Sequence, residues 1–227
     1  MNDVYTIAID GPAGAGKTTV SRDLANKLNI LHLDTGAMYR ASALACLQSG
    51  IEKGDTNAII KVVNDSDITV EFQNGEQKTM LNGECVNHLI RTPEVSLWAS
   101  DVSAVPEVRL KLVEIQRDLS KKISMVIDGR DIGTYVLPDA DFKIFMTADQ
   151  KLRAERRYKE LIAKGVEVDF EEVLQDQLYR DEQDTNREFA PLKAAEDAFI
   201  FDTTGLSISE CADIIIDYMN KNRSTEC

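Results

Sequence analysis

Gly11-Pro12-Ala13-Gly14-Ala15-Gly16-Lys17-Thr18 has the form Gly-x-x-x-x-Gly-Lys-[Ser/Thr], the loop that cradles phosphates between a strand and a helix. Its flanks supply both. Val4 to Ile9 is a short apolar run that reads as a buried strand, and from Lys17 onward Val20, Leu24, Ala25 and Leu28 recur at helical spacing. A triphosphate is a dense anion and needs many donors with few side chains in the way. Glycines let successive backbone N–H groups turn inward, and the helix N-terminus adds partial positive charge. Lys17 is expected to span the β- and γ-phosphates, and the Thr18 hydroxyl to hold Mg²⁺.

With 227 residues the chain can bury one full core with small insertions, so one domain with appendages is expected. Hydrophobic residues make up 43% and charged residues 29%, as in ordinary globular proteins. The net charge of -13, from 39 acidic and 26 basic residues, argues against nucleic acid or any other extended polyanion as partner. An anionic ligand must then be held by cations gathered locally, which makes arginine clusters informative. Cys46, Cys85, Cys211 and Cys227 form no C-x-x-C pair and suit reduced thiols in a cytosol. His32 and His88 are the only histidines, so no zinc site is expected and both read as structural or surface residues. There is no leader-like start and no apolar run approaching about eighteen residues. A soluble cytoplasmic protein without membrane contact is expected.

Along the chain, Ile30 to Leu33 reads as a strand running into Asp34-Thr35-Gly36-Ala37-Met38-Tyr39-Arg40 and a helix that stops near Gly50. Asp55 reads as the N-cap of a further helix with Ala58, Ile59, Val62 and Val63 inward. This β-α-β-α order predicts a parallel sheet. Then the pattern changes. Ile68, Val70 and Phe72 alternate with polar residues, and Asn74-Gly75 and Asn82-Gly83 punctuate three short runs. Asn-Gly between alternating runs signals a type I′ hairpin, so a three-stranded antiparallel insertion is predicted over about residues 67–88. Thr92-Pro93 and Pro106 open two helices, the second with a stripe of Val108, Leu112, Ile115 and Leu119. Ile123 to Ile127 and Phe142 to Met146 read as core strands. A helix over 148–164 ends at Gly165, and Asp169 with Glu172 resembles a capping box opening the next. Phe199 to Phe201 is a last strand, Ile208, Ala212, Ile215 and Met219 mark a last helix, and a polar tail follows Lys221.

Phosphate loops serve motors, switches and kinases alike. Asp202-Thr203-Thr204-Gly205 fits half of a GTP-switch signature but follows the last strand, and no Asn-Lys-x-Asp guanine reader accompanies it. The strand ending at Asp128 is followed by Gly129, not by the glutamate with which motors activate water. A kinase must exclude water and hold a second anion in line with the γ-phosphate. Arg153, Arg156 and Arg157 on one helix, with Arg180 and Arg187 on the next, suit such a lid. Salt bridges to Glu155, Glu160, Asp176 and Asp181 would explain the same arginines as two surface helices.

Taken together with the phosphate loop, Asp34 to Arg40, Ile90-Arg91-Thr92, Asp128-Gly129-Arg130-Asp131-Ile132-Gly133-Thr134 and Arg180-Asp181-x-x-Asp184-x-x-Arg187 resemble the bacterial cytidylate kinases. The likeness runs nearly end to end and includes the β insertion, which separates this family from adenylate kinases. It implies an α/β fold with a central parallel five-stranded sheet, and transfer of the ATP γ-phosphoryl group to CMP or dCMP with Mg²⁺. It also implies one kinase domain, 1–227, with a core of 1–33, 94–150 and 188–227, an acceptor-binding insertion of 34–93 and a lid of 151–187. ATP is then expected on Gly11 to Thr18 and Thr19.

Ser100, Arg109 and Asp131 match the positions that read cytosine: a carboxylate accepts from the exocyclic amine, while Arg and Ser donate to N3 and O2. Arg40, Arg130 and Arg187 match the monophosphate arginines, Arg180 and Asp184 would face the sugar, and Thr35 and Tyr39 line the same pocket. Asp128 would reach Mg²⁺ through water. Lys17, Arg153, Arg157 and Arg187 would act on the moving phosphoryl group. Each has a plainer reading: Ser100 and Arg109 as helix surface, Tyr39 as core packing, Asp128 as a loop acceptor. Relatives vary at the Thr18 position, and residues 187–191 follow the family only loosely. Another small-molecule kinase, or a nucleotide-dependent switch, remains the alternative, and nothing demands more than a monomer.

Overall fold

The computed structural model describes residues 4–223. Strand β1 (Thr6–Asp10) leads through the phosphate loop into α1 (Lys17–Leu28), then β2 (Leu31–Asp34), α2 (Thr35–Gln48) and α3 (Thr56–Asp65). The insertion follows as β3 (Ile68–Gln73), β4 (Glu76–Leu81) and β5 (Glu84–Cys85). Helices α4 (Pro93–Ser103) and α5 (Pro106–Ser120) return the chain to β6 (Met125–Asp128), a one-turn π-helix (Ile132–Val136) and β7 (Phe142–Thr147). The chain closes with α6 (Gln150–Ala163), α7 (Phe170–Asn186), β8 (Phe199–Asp202) and α8 (Ile208–Arg223).

The central sheet has five strands in the order β2-β6-β1-β7-β8, all paired parallel. Both faces are covered, as a parallel sheet requires. The two-residue repeat of the strands sorts the core: Ala8, Leu33 and Ile127 face Met38, Val102 and Leu112, whereas Ile7, Ile9 and Val126 face Leu24, Ile215 and Met219. The expected meander is present, with β4 between β3 and β5. Asn74 and Gly75 have φ of 54° and 79°, and Asn82 and Gly83 of 51° and 83°, as type I′ turns require.

Helix starts follow the sequence closely. Asp34, Asp55, Thr92, Asp149 and Asp169 each accept a backbone N–H from the first turn that they cap. Asp169 takes the N–H of Glu171 rather than closing the reciprocal box expected with Glu172. In α5 the buried face carries Val108, Arg109, Leu112, Val113, Gln116 and Ser120, and Ile115 and Leu119 are only partly buried. The expected apolar stripe is rotated because Arg109 turns into the site. Strands start later than the apolar runs: Val4 and Ile123 are exposed and lie ahead of the ladder. The π-helix was not anticipated. Its i→i+5 bonds, Val136 N–H to Asp131 C=O at 3.1 Å and Leu137 N–H to Ile132 C=O at 2.7 Å, form where Asp10 accepts the N–H groups of Ile132 and Gly133, each at 2.8 Å. The polar tail falls mostly outside the described residues.

Gly11 shows how tightly the loop seats on the sheet. Its φ is 147°, and a Cβ there would lie 2.0 Å from the Met146 carbonyl oxygen, so only backbone shifts would admit a side chain. Gly11→Ala is expected to cost more than about 3 kcal/mol, read from urea unfolding; a midpoint equal to that of the parent would contradict this packing.

Candidate active site

A cleft of about 820 Å³ opens over the carboxyl ends of β1, β2 and β6, where parallel sheets bind ligands. Lys and Arg in its lining outnumber Asp and Glu two to one, in a chain of net charge -13. The local gathering of cations expected from composition is therefore present.

At one end lies the phosphate loop. Gly16, at φ 90°, precedes α1 with no side-chain cap and no acidic residue in the first turn. The helix thus presents its first N–H groups and positive dipole end to whatever enters. Lys17 is buried and its Nζ donates to the Pro12 carbonyl at 2.7 Å. Burial, with the Arg130 charge adding to it, pulls its pKa down to about 7. Thr18 Oγ1 donates to Asp128 Oδ2 at 2.8 Å, and His32 Nε2 lies 2.5 Å from Asp128 Oδ1. Among the described residues no three His, Cys, Asp or Glu gather as a metal site. Thr18 and Asp128 offer a partial shell of hard oxygens, which suits Mg²⁺ shared with phosphate oxygens and water.

At the other end, carboxylates are shared between arginines. Asp34 Oδ2 pairs with Arg40 at 2.8 Å and Arg91 at 3.1 Å. Asp131 pairs with Arg109 through a short contact and with Arg187 at 3.2 Å. Asp184 accepts from Arg130 Nε at 2.6 Å, with Arg187 at 3.8 Å. Burial alone would raise the Asp34 carboxyl, but the two arginines bring it down to about 2. Arg109 is 1% exposed and its guanidinium lies 5.3 Å from the centre of the Tyr39 ring, whose hydroxyl burial pushes up to about 12. Among the described residues the buried Nε groups of Arg40, Arg109 and Arg180 have no hydrogen-bond partner. Arg180 is the least compensated: burial, followed by the Arg157 charge, lowers its pKa to about 10. Unpartnered buried donors are costly unless an acceptor arrives.

The α6–α7 hairpin is folded against the loop. Arg153 Nη1 donates to the Ala13 carbonyl at 2.8 Å and to Asp181 at 2.6 Å, while Asp181 accepts the Ala13 N–H at 3.3 Å. Arg153 is buried and engaged with the loop's backbone outside the cleft lining. Gly11 and Pro12 also lie outside the lining, Gly11 packed on β7 and Pro12 holding Lys17. The lining does bring together Ala13 to Thr19, Thr35, Tyr39, Arg40, Ser100, Arg109, Asp128, Arg130, Asp131, Arg157, Arg180, Asp184 and Arg187. Thr35 Oγ1 donates to the Asp128 carbonyl at 2.8 Å.

Arg91, Arg156, Thr203, Leu206, Ser207, Ile208 and Cys211 also line the cleft; of these, only Arg156 has a site role from sequence, as one of the lid arginines. Arg91 stood within a quoted motif. Arg156 reads with Arg153 and Arg157 as a lid arginine but has no contact of its own from sequence. Thr203, weighed only as part of a switch signature, has its hydroxyl 3.2 Å from the Ala15 carbonyl, a contact no local pattern announces.

The sequence model of the family described as cytidylate kinase matches residues 7–221. The chain belongs to the cytidylate kinase family. A cytidylate kinase of Caldicellulosiruptor saccharolyticus is 51% identical over 215 residues, covering 95% of each chain. One from Clostridium perfringens is 46% identical over 221 residues, covering 97% of this chain and all of its own. Among solved structures, a gluconokinase from Sinorhizobium meliloti 1021 aligns over 97% of this chain and 94% of its own with a TM-score of 0.51 at 12% identity, a likeness of fold alone.

Because Lys17 titrates near neutrality, an anion in the loop raises its pKa again and must draw a proton from solvent. At pH 8, calorimetry of inorganic tripolyphosphate in buffers of different ionisation enthalpy is expected to show uptake of close to one proton, lost in Lys17→Met. Buffer-independent heats would exclude a depressed Lys17 pKa.

Proposed function

We propose that this protein transfers the γ-phosphoryl group of ATP to CMP or dCMP, giving ADP and the pyrimidine diphosphate. Membership of the cytidylate kinase family carries the reading, and a two-ended cationic cleft supports it. ATP would lie with its phosphates on residues 11–19. The acceptor's base would meet Ser100, Arg109 and Asp131, its sugar Arg180 and Asp184, and its phosphate Arg40, Arg130 and Arg187, with Thr35 and Tyr39 alongside. A cytosine amine arriving at Asp131 exchanges part of the Arg109 and Arg187 pairing for a hydrogen bond of its own, and frees the guanidiniums toward base and phosphate.

The acceptor phosphate is already an anion, so no general base is needed, and the chemistry reduces to alignment and charge neutralisation. Lys17 bridges the transferring group, Arg157 and Arg187 meet its equatorial charge, and Arg153 contributes by holding Ala13 and the lid in place. Bound Mg²⁺, held by Thr18 and reached from Asp128 through water, would supply further neutralisation of the phosphate oxygens. The unit divides into a core of 1–33, 94–150 and 188–227, an acceptor-binding insertion of 34–93 and a lid of 151–187. No helix among the described residues is long and apolar enough to cross a membrane. Cys46, Cys85 and Cys211 are free thiols, which fits a monomer working in the cytoplasm.

A coupled ADP-release assay across CMP, dCMP, UMP and AMP is expected to favour the two cytidine nucleotides; preference for AMP would overturn the proposal. Asp131→Ala is expected to raise the KM for CMP about 100-fold, as loss of a buried polar reader does, while ATP-analogue affinity stays near that of the parent. An equal loss at both ends would reject the base-reading role. Lys17→Ala should lower kcat about 100-fold or more.

A further inference from the structure

Gln77 of the β insertion does not line the cleft but bonds the backbone of Asp34, which does. Strand β2 is the edge of the central sheet, and Asp34 at its end is both the cap of α2 and the partner of Arg40 and Arg91. An edge strand leaves backbone groups without a ladder partner. At Asp34 the second position of β4 fills that gap. Gln77 Oε1 accepts the Asp34 N–H at 2.7 Å, and Gln77 Nε2 donates to the Asp34 carbonyl at 3.2 Å and to Thr79 Oγ1 at 3.1 Å. The primary amide thus takes the place of the next strand's peptide group, one acceptor and one donor meeting both backbone groups of one residue.

The amide is itself held. Asn87 Nδ2 donates to the Gln77 carbonyl at 2.7 Å, and Asn87 Oδ1 accepts the Thr79 N–H at 2.9 Å. Thr79 is fully buried. A chain of hydrogen bonds therefore runs from Asn87, in the segment after β5, to the backbone of Asp34, whose carboxylate sets where two guanidiniums stand. Other contacts also join the insertion to the core, but this one ends on the residue that aims the arginines.

We infer that Gln77 is a positioning residue for the acceptor phosphate: it fixes Asp34, and through Asp34 the Arg40 and Arg91 guanidiniums, so the β3–β5 sheet of the insertion tunes binding of the second nucleotide without touching it. The inference rests on the reading of this cleft as the CMP site and gives the insertion its part in that site. A leucine or methionine would fill the same space and leave the Asp34 N–H and C=O unpaired. A glutamate would still accept the N–H but offers no donor to the C=O.

Gln77→Met and Gln77→Glu test it, with urea midpoints recorded for both. Calorimetry of CMP without ATP or Mg²⁺ is expected to show affinity about tenfold weaker in Gln77→Met, the scale of one to two hydrogen bonds, and a smaller loss in Gln77→Glu. In steady state the KM for CMP should rise while the KM for ATP stays within about twofold, a split that general loosening of the fold does not produce. CMP affinity within about twofold of the parent in a folded Gln77→Met, or equal losses for CMP and ATP, would overturn the role. Should Gln77→Met not fold, Gln77→Glu carries the same test with the same overturning results. If the parent protein itself fails to bind CMP, the proposed function falls; if the parent binds and the variants bind equally well, only the role of Gln77 falls.

Discussion

A cleft that must receive two phosphorylated ligands needs many guanidiniums, and guanidiniums crowded at low dielectric repel one another. In this protein the repulsion is balanced by three carboxylates, each set between two arginines: Asp34 between Arg40 and Arg91, Asp131 between Arg109 and Arg187, Asp184 between Arg130 and Arg187. Removing either side of such a buried pair leaves a charge without compensation, which costs several kcal/mol, about 3 to 5 in typical cases. The pairings set the guanidiniums in place before any ligand enters, and preorganised charge is what phosphoryl transfer uses most.

The same balance explains why the groups at the centre titrate oddly. Among the described residues neither Lys17 nor Arg180 is held by a carboxylate hydrogen bond: Lys17 leans on the Pro12 carbonyl, and the Arg180 Nε has no hydrogen-bond partner. Both are pulled toward neutrality, chiefly by burial. Both therefore have much to gain from an arriving polar or anionic group. Arg153 is compensated differently, its charge matched by Asp181 and its donors given to the Ala13 and Ala148 carbonyls.

Much of the frame was legible from local chemistry. Asn-Gly at 74–75 and 82–83 announced the meander because few other residues accept positive φ at both turn positions. Asp55 and Thr92 announced helices because their side chains replace missing hydrogen-bond acceptors. The rotation of α5 was not legible. Periodicity treats Arg109 as a surface residue, and its burial is offset by Asp131, 22 positions away, with the Ser103 carbonyl and the Tyr39 ring. Nor was the π-helix, since Asp10 reaches it across 122 positions.

By itself the sequence determined the phosphate loop, the alternation that makes the sheet parallel, the inserted hairpins and the family, because each rests on neighbours within a few residues or on order along the chain. The tertiary structure alone decided which arginines are free and which are spent, that Arg153 braces the loop, that Arg91 and Arg156 reach the cleft, and that Gln77 completes the edge of β2. Those outcomes depend on partners far apart in the chain, and the energy of a charge or an amide is set by what the fold places against it, which no local pattern records.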